Sequence, residues 1–157
     1  MSSTSVSRPK LDNIDRRLLE ILQNDAKTPY SKIAEALKVS EATVHLRIKK
    51  LLKQGVIRRF QAIVDPEKVG KNTVAIIAIT ITPSDFENAL EELKNIPEVY
   101  ELYDVTGEYY AIAKVRVSSK EQLTKVLDKI GKIKGVESTK TMYVLRTLKE
   151  ELRIAID

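Results

Sequence analysis

The chain has 157 residues, 43% hydrophobic and 31% charged, with a formal net charge of +5. That length and mixture fit one ordinary or two small globular domains and exclude a disordered polymer. With no cysteine, a disulfide framework and a thiolate metal site are excluded, and with one histidine a histidine-based metal centre is not expected.

No window approaches the roughly eighteen apolar residues of a spanning helix. The opening "MSSTSVSRPK" lacks the apolar centre of a secretory signal, so residues 1–10 are expected to be a flexible tail and the cytoplasm the location. The positive charge is unevenly placed. Residues 1–65 hold 13 Lys/Arg against 7 Asp/Glu, whereas residues 66–157 hold 14 against 15. Such asymmetry points to one module that meets a polyanion and one that does not; the alternative is a surface that is basic by chance.

In chain order, "LDNIDRRLLEILQND" places Ile14, Leu18, Ile21 and Leu22 at helical spacing, with arginines opposite. Asp12 is the expected N-cap, and Asp15 suits the positive end of the helix. In "KTPYSKIAEALKV" Thr28 is expected to cap and Pro29 to occupy the first turn, with Ile33, Ala34 and Leu37 as the buried stripe. Ser40 opens a third helix whose apolar positions are Val44, Ile48 and Leu51, and Gly55 ends it. Residues 11–55 thus form one helical domain.

The period then changes. "VIRRFQAIV" reads as a strand, and Val69-Gly70-Lys71 as a turn, giving a linking strand and hinge over residues 56–72. Beyond lies a repeat. "VAIIAITIT" is a strand, followed by Phe86, Leu90, Leu93, Ile96 and Val99; 37 residues later Leu123, Leu127, Ile130, Ile133 and Val136 recur with the same spacing. Two strand-helix-strand units give βαββαβ, a ferredoxin-like domain over residues 73–146, followed by a C-terminal tail over 147–157. The fold class is α+β. One face of such a sheet is uncovered by helices, yet both faces here carry apolar residues. The face of Ile77, Ile79 and Ile81, or its alternate, is therefore expected to be buried in a homodimer; the alternative is a few tolerated exposed apolar groups.

The second and third helices are joined only around Lys38-Val39, a helix-turn-helix arrangement (winged-helix-like) that presents the third helix to the major groove of double-stranded DNA. Counting about 100° per residue from Val44, Ile48 and Leu51 face the core, while Ala42, Leu46, Lys49 and Lys53 point away. Thr43 and His45 flank that outward face, with Lys50 beside them. Arg47 borders the core, placed for a backbone phosphate or an internal ion pair. An outward Leu46 suits thymine methyls, and the cations suit phosphates. The alternative is a basic amphipathic helix with no groove to enter.

The stretches "LDNIDRRLLEILQNDAK" and "YSKIAEALKVSEATVHLRIKKLLKQGVIRRFQAIVDPEKVG", with the βαββαβ repeat and "DVTGEYY", resemble the Lrp/AsnC, or feast/famine, transcription regulators. The resemblance runs from Leu11 to about Leu145. It implies a DNA-binding domain, with Ser40 and the third-helix residues named above reading a near-palindromic operator. It also implies a C-terminal domain for effector binding and oligomerisation, with homodimers assembling to tetramers or octamers. Three departures stand out. Lys38 replaces a common turn glycine, Leu46 stands where many relatives carry a polar or basic residue, and the effector loop, often Gly-Asp-Tyr-Asp, reads Gly107-Glu108-Tyr109-Tyr110.

Effectors of the family are mostly amino acids bound near that loop, at the contact between dimers. Glu108 would take the ammonium group, backbone N–H groups around Thr106 and Gly107 the carboxylate, and Tyr109 and Tyr110 would wall the pocket. The alternative is that Gly107 only makes a hairpin turn. No catalytic constellation, cofactor motif or metal cluster is present, so an enzyme is not expected. Two other readings remain: an architectural DNA-binding protein without an effector, and an effector-binding module acting through protein partners alone.

Overall fold

The computed structural model describes residues 9–156. The tail expected over residues 1–10 lies outside the described residues except for Pro9 and Lys10. The chain divides into two compact units. One is the described chain up to Ala62 together with Glu150 onward; the other is Ile63–Lys149.

The first unit holds α1 (Asn13–Asn24), α2 (Tyr30–Leu37) and α3 (Glu41–Lys53). Asp12 and Asp15 form a reciprocal capping box: the Asp12 carboxylate accepts from the Asp15 N–H at 2.8 Å, and Asp15 accepts from the Asp12 N–H at 3.3 Å. Ser40 caps α3, accepting from the Thr43 N–H at 3.1 Å. Thr28 does not cap α2. Its hydroxyl donates to the Asp25 carbonyl at 2.7 Å, and Pro29 holds the cap position without a side-chain acceptor. The reason is local: Asp25 closes a turn by accepting from the Lys27 N–H at 2.9 Å, and Thr28 is drawn into it. Leu18, Leu22, Ile33, Ala34, Val44, Ile48 and Leu51 make the core as expected, joined by Leu19, which was not. Ile21 and Leu37 are partly buried against it, and Ile14 is half-buried outside it.

The turn between α2 and α3 ends in a Schellman motif. The Val39 N–H reaches the Ala34 carbonyl at 3.0 Å, and the Lys38 N–H reaches Glu35 at 3.2 Å. Lys38 occupies the left-handed position at φ 55°, ψ 47°, where a glycine would be unstrained.

Two expectations fail around this unit. Val56–Val64 contains no strand: the described chain offers it no partner, and Phe60, Ile63 and Val64 stay exposed. Strand propensity alone supplies no ladder of hydrogen bonds. Nor is the segment from Glu150 a tail, since Ile156 packs on the three-helix core and Ile154 hydrogen-bonds to Gln23.

The second unit is a four-stranded antiparallel sheet in the order β2 (Val99–Asp104), β3 (Ala111–Val117), β1 (Thr73–Ile81), β4 (Val136–Tyr143). Helices α4 (Phe86–Lys94) and α5 (Lys120–Gly131) cover one face. All ten positions of the 37-residue repeat enter that core. Ala75, Ile77, Ile79 and Ile81 of β1 and Ala111, Ala113, Val115 and Val117 of β3 supply the sheet side. The open face is therefore the alternate one: Val74, Ile76, Ala78 and Thr80, beside Ile112 of β3 and Lys140 and Met142 of β4.

Candidate nucleic-acid interface and loop site

The residues on α3 divide by what they touch. Ala42, His45, Leu46, Lys49, Lys50 and Lys53 are exposed on its outward side, Leu46 at 65% of its surface. Ser40 and Thr43 are engaged in the cap, their hydroxyls 2.8 Å apart. The Tyr30 ring lies 6.1 Å from that of His45, inclined at 53°, and so limits the positions the imidazole can take.

Arg47 turns inward. Its guanidinium donates to Asp12 and, at 2.9 Å, to the Asp15 carboxylate, whose side chain is 1% exposed. Of the two sequence readings for this residue, the structure holds the internal ion pair. Hydrogen bonding from Arg47 keeps the Asp12 carboxyl below its ordinary range, and the two carboxylates raise Arg47 further. Asp12 thus starts α1 and helps fix α3, so one cap positions two helices. Arg58 and Arg59, two further cations that the sequence reading did not single out, are exposed just beyond Gly55.

The loop between β2 and β3 is closed by the Val105 N–H on the Tyr110 carbonyl at 3.1 Å and tied to β1 by the Tyr110 N–H on the Ile79 carbonyl at 3.1 Å. Thr106, Gly107 and Glu108 are exposed at its tip. Gly107 has φ 124°, with open space around the position of a Cβ, so the glycine answers a backbone demand there. Tyr109 is half-buried, and the Tyr110 ring packs on Phe86 at 5.9 Å. The loop therefore offers one carboxylate, a half-buried Tyr109 and a Tyr110 ring packed on Phe86 at the surface. Among the described residues no group of three His, Asp or Glu could hold a metal ion, and no helix is long and apolar enough to cross a membrane.

A helix-turn-helix unit with a basic outward face, joined to a ferredoxin-like domain, is the architecture of a DNA-binding transcription regulator with a second, ligand-binding domain. Residues 11–52 match the AsnC-type helix-turn-helix domain and residues 74–154 the Lrp/AsnC ligand binding domain. The HTH-type transcriptional regulator FL11 of Pyrococcus horikoshii is 41% identical over 95% of this chain and 99% of its own length. Ptr1 of Methanocaldococcus jannaschii is 38% identical over 93% and 99%. Among solved structures, AsnC of E. coli superposes with a TM-score of 0.85 at 34% identity, covering 90% of this chain and 96% of its own. The leucine response regulatory protein of Mycobacterium tuberculosis gives 0.82 at 32%, covering 93% and 100%. The chain belongs to the Lrp/AsnC family and is a transcription regulator with a DNA-binding helix-turn-helix domain, not an enzyme.

Proposed function

We propose that this regulator binds a near-palindromic operator through the outward face of α3 and answers to an amino-acid effector at the loop around Gly107. The exposed row Ala42, His45, Leu46, Lys49 and Lys53, on a helix whose other side is locked by Val44, Ile48, Leu51 and Arg47, carries the proposal. A helix fixed on one side and unengaged on the other enters a groove without refolding. Leu46 and His45 meet base edges, whereas Lys49, Lys50 and Lys53 sit against phosphates. Arg47 acts on DNA only through the pose of the helix.

The open sheet face pairs two copies. Val74, Ile76 and Ala78 lie at its middle, and Glu101, paired with Lys114 at 3.0 Å and receiving the Tyr103 hydroxyl at 2.7 Å, lies at one side. Two heads on one dimer read two half-sites about 10 base pairs apart or a multiple of that. The exposed tip of Thr106, Gly107 and Glu108, walled on one side by Tyr109 and Tyr110, is completed by a second dimer in a tetramer or octamer. The name of the leucine-responsive relative agrees with an amino-acid ligand.

Footprinting at several salt concentrations tests the DNA face. Lys49→Ala should weaken specific and random DNA alike and lower the salt slope by about one. Leu46→Ala should change the preferred sequence at constant salt slope. If both variants protect the parent's site with the parent's affinity, the helix does not read DNA on this face. Protection of no defined site by the parent would favour the architectural reading.

A further inference from the structure

We infer that the outer face of α1 around Gln23 and Asn24 is a docking groove for an extended peptide. Its occupant is this chain's own C-terminal segment, held there as a releasable strap on the DNA-binding head. Gln23 pairs its side-chain amide with both main-chain groups of Ile154: its Nε2 donates to the Ile154 carbonyl at 3.0 Å, and its Oε1 accepts from the Ile154 N–H at 2.9 Å. That is the pairing a neighbouring β-strand would supply, and it selects an extended backbone rather than a side chain. One residue earlier, Arg153 donates to the Asn24 side chain, its guanidinium braced by Glu151 at 2.9 and 3.1 Å. Two residues later, Ile156 packs against the core of the head. Glu20, Gln23 and Asn24 lie on one stripe of α1, and a cavity of about 290 Å³ remains between them and the segment.

The attachment is partial. Leu152 and Ile154 keep 65% and 72% of their surface exposed, and the grip includes the Gln23 amide, the Arg153 fork and one partly buried isoleucine. Few buried contacts and exposed hydrogen bonds mark a segment at the low end of local stability. The chain path gives the strap its use. The end of β4 lies beside the start of β1, the Val144 N–H meeting the Val74 carbonyl at 2.9 Å. Both connections to the head therefore leave the sheet at the same end, residues 63–72 joining the segment that follows α3 and residues 144–149 joining the segment docked on α1. With the strap docked the head is held by two tethers; with it released, by one.

The chain has no cysteine, so Ser31→Cys, at an exposed position on α2, carries a unique fluorophore. Time-resolved anisotropy would compare the labelled full chain, the labelled chain ended at Lys149, and labelled Gln23→Ala. A head that keeps its helical circular dichroism but reorients faster after truncation is the expected result, with Gln23→Ala in between. A synthetic peptide of residues 150–157 should bind the truncated chain saturably, and bind it at least tenfold more weakly once Gln23 is Ala. Equal reorientation in all three proteins overturns the strap, as does a peptide that does not bind. Loss of head structure on truncation would make the segment part of the core and overturn its release. A difference between the full chain and the chain ended at Lys149 that vanishes on dilution, while both keep the same sedimentation coefficient, would give the groove to another copy's segment, overturning the assignment to its own. None of these readouts involves DNA, so failure of the DNA-binding reading leaves the test intact.

Discussion

Replacing Arg47 with Met separates the two roles that one cation on a recognition helix can play. The methionine keeps most of the side-chain volume but removes every donor. The Asp15 carboxylate is then left buried at 1% exposure with its ion-pair partner gone. Losing a hydrogen bond to a charged group costs about 1.5–3 kcal/mol, and breaking a fully buried pair about 3–5 kcal/mol. Since a quarter of the Arg47 side chain meets solvent, about 2–3 kcal/mol is expected for the Asp15 contact. For a unit of this size that lowers its unfolding midpoint by roughly 10–20 °C. Hydrogen exchange of the α1 and α3 amides in the full chain reads this locally, without averaging over the ferredoxin-like domain. Arg47→Met with Asp15→Leu should recover much of the loss, because no buried charge is then left without a partner and only the exposed Asp12 loses its pairing. Acid adds a second signature. Asp12 is held below its ordinary value of 3.8 chiefly by the Arg47 hydrogen bond. Its pairing therefore stabilises the head above the ordinary carboxylate range and is lost as pH falls through the depressed value. Arg47→Met should lack that extra acid sensitivity. If the variant keeps its exchange protection and instead loses DNA affinity uniformly, with a salt slope smaller by about one, Arg47 is a phosphate ligand and this reasoning is wrong.

Lys38→Gly should stabilise the head by about 0.5–1 kcal/mol, because relief of the left-handed lysine exceeds the entropy cost of glycine; a lower midpoint in thermal unfolding would contradict it. Gly135→Ala should destabilise the ferredoxin-like domain by about 2–4 kcal/mol, since φ is 91° and the new Cβ would stand 2.4 Å from that of Asp85. Gly107→Ala meets only the backbone strain and should cost less; the prediction fails if Asp85→Gly does not partly rescue Gly135→Ala in the same melts. Glu108→Ala should weaken an amino-acid effector, found by thermal-shift screening, about ten- to a hundredfold by calorimetry; unchanged affinity removes Glu108 from the site.

What the sequence showed and what it hid follow one physical rule. The buried stripes of α1, α2 and α3 and the ten repeat positions were legible because periodicity states which side of an element avoids water. The Asp12 cap and the Ser40 cap were legible because each acts within its own turn. The inward turn of Arg47 was half-legible: its angle on the helix placed it at the core's edge, but Asp15 lies on another helix. For β1, alternation named two candidate faces and left the choice to the helices that cover one of them. The segment from Val56 to Val64 reads as a strand by propensity, yet only a second chain segment can make it one. The docked C-terminal segment was hidden most completely. Gln23 binds the main chain of Ile154, and main chain is the same at every position. Thr28 misled for a similar reason, since a threonine ahead of a proline serves a cap or a preceding turn equally well.

The division of α3 into a locked side and an unengaged side makes the helix a replaceable cartridge. Val44, Ile48, Leu51 and Arg47 hold its pose, while Ala42, His45, Leu46, Lys49 and Lys53 stand exposed on the side away from that core. If that exposed side reads DNA as proposed, exchanging its residues alters what the head prefers while leaving what it is made of, so a new operator preference requires no new fold. The same separation limits how such changes fail. On the proposed reading, a poor choice at Leu46 yields a folded protein with the wrong preference and one at Lys49 a folded protein with a weaker grip, whereas a change at Arg47, Asp12 or Asp15 yields a helix that no longer faces where it should.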